Sequence, residues 1–222
     1  MFDDVSLTPF RISLQVAGVA TLLCIAAGLP LTWWIWRSGR VLGSLLSSLV
    51  LLPLVLPPTV TGYYLLYGLG RQSAFGRFLI DDLGLRLIFT WQGAAIAAAV
   101  IALPLFVRTA QAGFEHIDRD LVDVAETMGK SRAVVFFRVV VPLAWPSLLA
   151  ATLIAFARAF GEFGATVIVA GNIPGRTQTA PTAIYDAVQA GNDDLANRLA
   201  LISVILVLAI ISVVTFVAQR DR

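Results

Sequence analysis

Apolar residues in this chain gather into five long runs, roughly 12–36, 42–69, 89–107, 143–170 and 199–218, separated by polar stretches. A helix needs about 20 mostly apolar residues to cross a bilayer, and the runs are of that length. The pattern predicts an all-α, polytopic membrane protein with about five transmembrane helices. The whole chain, 1–222, reads as one transmembrane domain. The first run follows Asp3 and Asp4 and exceeds the apolar core of a secretory signal, so a retained span is expected there.

The longest polar interruption is 108–142. Leu121, Val124, Ala125 and Met128 recur at i, i+3, i+4 and i+7, the spacing of one helical face. Asp120, Asp123 and Glu126 lie mostly off that face. Gly129 suits a left-handed helix end, Ser131 suits the cap of a second helix, and Pro142 is expected to stop it. The segment predicts two short helices around a glycine turn. Its five basic residues (Arg108, Arg119, Lys130, Arg132, Arg138) balance five acidic ones (Glu115, Asp118, Asp120, Asp123, Glu126). That balance excludes a polybasic lipid anchor and favours a partner protein for the apolar stripe.

Composition agrees with a bilayer as solvent. Hydrophobic residues make up 58% and charged residues only 14%, with a mean hydropathy of +0.84. The net charge of +2 carries no basic patch and gives nucleic-acid binding little support. Cys24 is the single cysteine and His116 the single histidine, too few for a disulfide within the chain or a Cys/His zinc site. No metal site is expected. Lys and Arg divide nine to six between the two sets of span ends. The richer set is Arg37, Arg40, Arg108, Arg119, Lys130, Arg132, Arg138, Arg220 and Arg222. This bias puts the 108–142 loop and the C-terminus in the cytoplasm and the N-terminus outside.

Two places inside the spans break the apolar pattern. The second run holds Pro53, Pro57 and Pro58, followed by Thr59, Thr61 and Gly62; the third holds Pro104. Proline frees backbone carbonyls that must face protein or water, so the second run reads as a bent helix lining a pathway. The fourth run holds Arg158 and Glu162, four residues apart. A lone charge at the helix centre costs about 2.5–3.5 kcal/mol on insertion scales, so the pair is expected to face inward. It is either part of an anion gate or a structural pair, and the residues alone leave both open. Ala157, Gly161 and Ala165 recur every four residues and predict close approach of another helix. In the loop 171–198, Pro174, Gly175 and Pro181 precede an apolar-spaced piece from Ile184 to Val188, which predicts a turn and a short outer helix.

Gly129-Lys130-Ser131 imitates the end of a phosphate-binding loop, but the required glycine five residues earlier is Val124. The chain therefore shows no ATPase motif. The same segment resembles the EAA loop of bacterial ABC-importer permeases. Asp123-Val124-Ala125 is followed by three residues, Gly129, nine residues, Val139, one residue and Val141-Pro142. The spacing matches throughout, with Asp for Glu and Val for Ala, Ile and Leu. Two further segments resemble the molybdate permeases of that family. One is Leu52 to Tyr63, with its Leu-Pro-Pro-Thr; the other is Ala157 to Thr166, continuing through Gly171-Asn172-Ile173-Pro174-Gly175 to Thr179.

The resemblance implies a subunit of an ATP-driven importer for molybdate, or for tungstate, which has the same shape and charge. A sulfate or thiosulfate permease is the alternative within the family. It further implies a homodimer in the bacterial inner membrane, two ATP-binding subunits that use ATP and Mg, and an external solute-binding protein, with no cofactor held by this chain. Asp123, Val124, Ala125, Gly129, Val139 and Pro142 would then couple the permease to the ATPase. Pro57, Pro58, Thr59, Thr61, Arg158 and Glu162 are the candidate pathway or gate residues. Without the resemblance, a proton-coupled carrier using Glu162 is the main rival, and an intramembrane enzyme lacks a second acid at that depth.

Overall fold

The computed structural model describes residues 6–220, with side chains through residue 212. The expectations resting on the charges of Asp3, Asp4, Arg220 and Arg222 lie outside these. Every described element is helical. Three helices are long and apolar enough to cross a membrane: α1 (Thr8–Arg37), α5 (Trp91–Glu115) and α12 (Asp193–Arg220), the last over Asp193–Ser212. Helix α2 (Arg40–Val55) and α3 (Pro58–Leu69) form a broken pair bent by 104°. The break falls where the sequence predicts it. Pro57 and Pro58 cannot donate to the preceding turn, and Pro58 opens α3 at a position that lacks an intrahelical acceptor anyway.

Short α4 (Ala74–Arg77) follows, and then α5, which runs to Glu115 and so carries the first two turns of the polar 108–142 segment. Next come α6 (Arg119–Thr127), α7 (Arg132–Val135), a widened π turn at Phe136–Val140 and α8 (Val141–Leu143). Pro142 is expected from the sequence to stop this second short helix, and it does not: helical turns run through it to Leu143. Its missing N–H falls next to the π turn, where the ladder is already relaxed, and the chain bends instead at Ala144. Beyond that 81° bend lies α9 (Trp145–Phe160). Then come α10 (Gly164–Ala170) and the outer α11 (Ala180–Gln189), which Thr179 and Thr182 open with a capping box.

Helix α5 is the hub: α1, α2, α3, α9 and α10 all pack on it. Its buried face is mostly alanine, including Ala94, Ala95, Ala98 and Ala102. Small side chains let helix backbones approach where lipid supplies no hydrophobic drive between them. Pro104 sits buried in this helix without breaking it, so it packs rather than lines a pathway. Gly28 of α1 leaves room for the Phe106 ring, which would lie 2.5 Å from an added Cβ.

The run 143–170 is not one span. Helix α9 ends at Phe160 and α10 restarts at Gly164. Arg158 and Glu162 therefore do not share the face of one continuous helix, and the Ala157–Gly161–Ala165 stripe is cut in two. The periodic reading failed because the carboxylate of Glu162 caps a new helix, an option that apolar spacing does not reveal. Close approach does occur at Ala165, against α3: a Cβ on Gly62 would lie 2.9 Å from the Ala165 Cα and 3.1 Å from its carbonyl oxygen. Those are backbone atoms and cannot swing aside. Gly62→Leu is expected to destabilise the protein by about 1–3 kcal/mol through overpacking, read as a lowered melting midpoint in detergent; an unchanged midpoint would contradict the crossing.

Candidate translocation centre and coupling loop

The two half-helices α3 and α10 cross at Gly62 and Ala165, and their N-termini lie side by side. A Cβ on Gly164 would meet the Pro58 side chain at 3.0 Å and Thr59 at 3.5 Å. Both ends carry the positive pole of a helix dipole. At α10 that pole is already answered. Glu162, only 2% exposed, accepts the Ala165 N–H at 2.8 Å through Oε1, and its Oε2 meets Arg158 Nη1 at 2.7 Å. Arg158 and Glu162 thus come together across the helix break, although not along one helix. Removing one member of a buried pair typically costs about 3–5 kcal/mol, because the other is left uncompensated. The pair makes the cluster nearly neutral, so Arg158 is not a free cation.

At α3 the positive pole has no such carboxylate among the described residues. Pro57, Pro58 and Thr59 are exposed at the break. Thr61 is buried, and its Oγ1 has no hydrogen-bond partner among the described residues. The Val60 and Thr61 N–H groups already bond the Pro57 carbonyl at 2.9 and 3.2 Å, so the α3 end offers the Thr59 N–H and the threonine hydroxyls, donors suited to an anion. Two features escape sequence reading here: the Gly62–Ala165 crossing and the capping role of Glu162. The Gly-Glu-x-Gly pattern holds a weak signal for the second, a carboxylate three residues before an acceptable first-turn residue.

At the other end, α6 stops in a Schellman turn. Gly129 has φ +77°, its N–H bonds to the Glu126 carbonyl at 2.9 Å, and Lys130 N–H bonds to the Ala125 carbonyl at 3.3 Å. Ser131 Oγ caps the next helix by accepting the Val134 N–H at 3.4 Å. Both features were legible in the sequence. The stripe residues Leu121, Val124 and Met128 are exposed, as are Asp123 and Pro142, while Ala125 and Val139 are half-buried. The face that holds α6 to the membrane core is a different one. Val122 is buried, and Arg37 at the end of α1 forks onto Glu126, with Nη2 to Oε2 at 3.2 Å. Arg37 lies over the Trp33 ring at 5.0 Å, and Arg119 lies over Trp36 at 5.1 Å and donates to its carbonyl at 3.3 Å. A small cavity of about 110 Å³ between Trp36, Arg37, Arg119, Val122 and Asp123 lies in this joint. Nothing in the spacing distinguishes Val122 from the stripe, since it is simply the next apolar residue after Leu121.

The described residues contain no cluster of three His, Cys, Asp or Glu able to hold a metal. Broken helices meeting inside a bundle, with a short helix docked at one end and its apolar stripe left uncovered, define a helical membrane transport subunit. The profile of the family "Binding-protein-dependent transport system inner membrane component" matches residues 22–220. The chain belongs to that family. It is 40% identical over 212 residues to the molybdenum transport system permease protein ModB of Escherichia coli (strain K12), covering 95% of this chain and 93% of that one. With ModB of Haemophilus influenzae it shares 38% over 215 residues, 96% of this chain and 94% of the other. Among solved structures, an inward-facing MetNI methionine ABC transporter matches with a TM-score of 0.70 at 19% identity, covering 96% of this chain and 92% of that chain. A bacterial ABC transporter involved in alginate import matches at 0.76 and 14%, covering 96% and 79%. At those identities the structures speak for the fold alone.

The Glu126 carboxyl is held below its ordinary pKa, first by the hydrogen bond from Arg37; partial burial opposes this, and the charges of Arg37 and Arg132 add to the lowering. With the folded value below the unfolded one, the contribution is present above the unfolded pKa and lost as pH falls through the folded one. Wild type is therefore expected to melt above Glu126→Gln at neutral pH, with the gap closing as pH drops below the ordinary carboxylate range. A gap independent of pH would contradict the joint.

Proposed function

We propose that this chain is the membrane subunit of an ATP-driven importer of molybdate. The observation that carries the reading is the pairing of a broken-helix centre that offers the Thr59 N–H and threonine hydroxyls with near-full-length similarity to proteins named as molybdenum transport permeases. Molybdate is a tetrahedral dianion with delocalised charge. It suits several weak donors better than one fixed cation, because a strong partner would hold the cargo rather than pass it on. The Thr59 N–H and the hydroxyls of Thr59 and Thr61 supply such donors beside Pro57 and Pro58, while the Arg158–Glu162 pair holds the crossing half-helix in place.

The working assembly in this reading is two copies of the chain, two separate ATP-binding subunits and an external binding protein. The exposed break at Thr59 faces the second copy across the pathway. ATP and Mg are used by the partner subunits, and this chain holds no cofactor or metal. The N-terminus lies outside, and the 108–142 loop and the C-terminus lie in the cytoplasm. The uncovered Leu121–Val124–Met128 stripe enters a groove on the ATP-binding subunit, with Asp123 and Ala125 on the same helix and Gly129 setting its exit. Val139 and Pro142 carry the displacement toward α9. ATP shifts the membrane dimer between inward and outward openings only as far as it binds the two states differently.

The test is uptake of labelled molybdate by cells that lack their own system and express this chain with its ATP-binding and solute-binding partners. Uptake that needs ATP, and that excess tungstate but not sulfate abolishes, is the expected result. Uptake of sulfate without molybdate would overturn the cargo assignment, and uptake surviving ATP depletion would overturn the importer class.

A further inference from the structure

A second polar cavity, of about 240 Å³, opens where α1 ends, α2 begins and α5 runs out, at the coupling-loop end of the spans. Arg40 of α2, Arg108 of α5 and Arg119 of α6 line it together with Ser44 and Ser47, and Glu115 is the sole carboxylate in its lining. The guanidinium groups of Arg40 and Arg108 have no hydrogen bond or ion pair among the described residues. Gln111, 7% exposed, forms part of the wall. It donates to Ser47 Oγ at 3.1 Å and so ties α5 to α2 at this wall. The lining therefore carries a surplus of two positive charges in a space of several water volumes, each about 30 Å³. Like charges so placed repel unless an anion sits among them.

The depth of the cavity identifies the anion's source. Trp33, Trp34 and Trp36 crowd the same end of α1, Trp145 opens α9 nearby in the chain's path out of the loop, and Trp34 and Trp145 are exposed. Tryptophans of this kind mark the level of the lipid headgroups. Basic pockets between spans at that level take anionic headgroups. Guanidinium groups from separate elements make charge-assisted bonds to phosphate oxygens.

We propose that this cavity is a binding site for a phosphate group, delivered by an anionic lipid headgroup. The headgroup bridges α2, α5 and α6 and so fastens the coupling helix to the membrane core. The site is separate from the α3–α10 centre and does not depend on which oxyanion is carried.

The test is titration of the purified, detergent-solubilised transporter with three probes: a short-chain phosphatidylglycerol, the matching phosphatidylcholine and inorganic phosphate. Saturable binding of phosphatidylglycerol is expected, weaker by about tenfold or more in Arg40→Gln/Arg108→Gln, the effect of losing charge-assisted contacts. Both arginines are exposed and unpaired, so the variant should keep its melting midpoint. Arg40→Lys/Arg108→Lys should restore part of the affinity. Inorganic phosphate binding as tightly as the lipid, with the same sensitivity to the variant, would overturn the lipid source. Equal affinity for phosphatidylcholine, or binding unchanged in the variant, would overturn the site.

Discussion

A helix that breaks inside a bilayer frees backbone groups that lipid cannot satisfy. The rest of this structure depends on how that constraint is met. The chain breaks at Leu56–Pro57 and again at Gly161–Phe163, and the two breaks are set against each other: the α10 end is capped by Glu162, while the α3 end packs beside Gly164 and stays exposed at Pro57, Pro58 and Thr59. Glu162 is central to the arrangement. One of its oxygens stands in for the missing carbonyl at the start of α10, and the other holds Arg158. An apolar residue there would leave both the helix end and the guanidinium unanswered. The crossing also needs Gly62 opposite Ala165, since any larger side chain would push the half-helices apart.

The same economy governs the link to the coupling loop. Helix α6 has too few residues to be stable alone. It is held by Val122, by the Arg37–Glu126 fork and by the contact of Arg119 with Trp36, all directed to the end of α1, where the Trp33 ring in turn carries Arg37. The opposite face is left apolar and uncovered. Helix α1 packs on α5, and α5 packs on both α3 and α10, so a displacement of α6 meets the centre through one shared helix. An alanine-lined hub suits this role because closely packed helices slide as units rather than deform.

Much of this is legible in the amino-acid sequence. Runs of apolar residues gave three unbroken spans and one broken pair, and Pro57-Pro58 marked the site of that break. Gly129 and Ser131 announced the turn and cap of the coupling loop, because each performs a local task that a single residue type does best. The second break was not legible. Arg158 and Glu162 sit four apart as a helical ion pair would, and the spacing alone cannot reveal that Glu162 caps a new helix. Pro142 misled in the opposite direction, since a π turn absorbs it. Val122, Arg37 and Gly62 act through partners distant in sequence, about which their neighbours along the chain say nothing.

The central claim is that the exposed start of α3 lies on a route opened alternately to the two sides of the membrane. The most direct measurement is the reactivity of Thr59→Cys, in a background where Cys24 is replaced by alanine, toward a membrane-impermeant thiol reagent. It should be made in vesicles of both orientations, with and without ATP. The account predicts labelling from the cytoplasmic side without nucleotide, its loss or transfer to the outer side with ATP, and protection by molybdate. Labelling that is absent from both sides, or indifferent to ATP and molybdate, would contradict it.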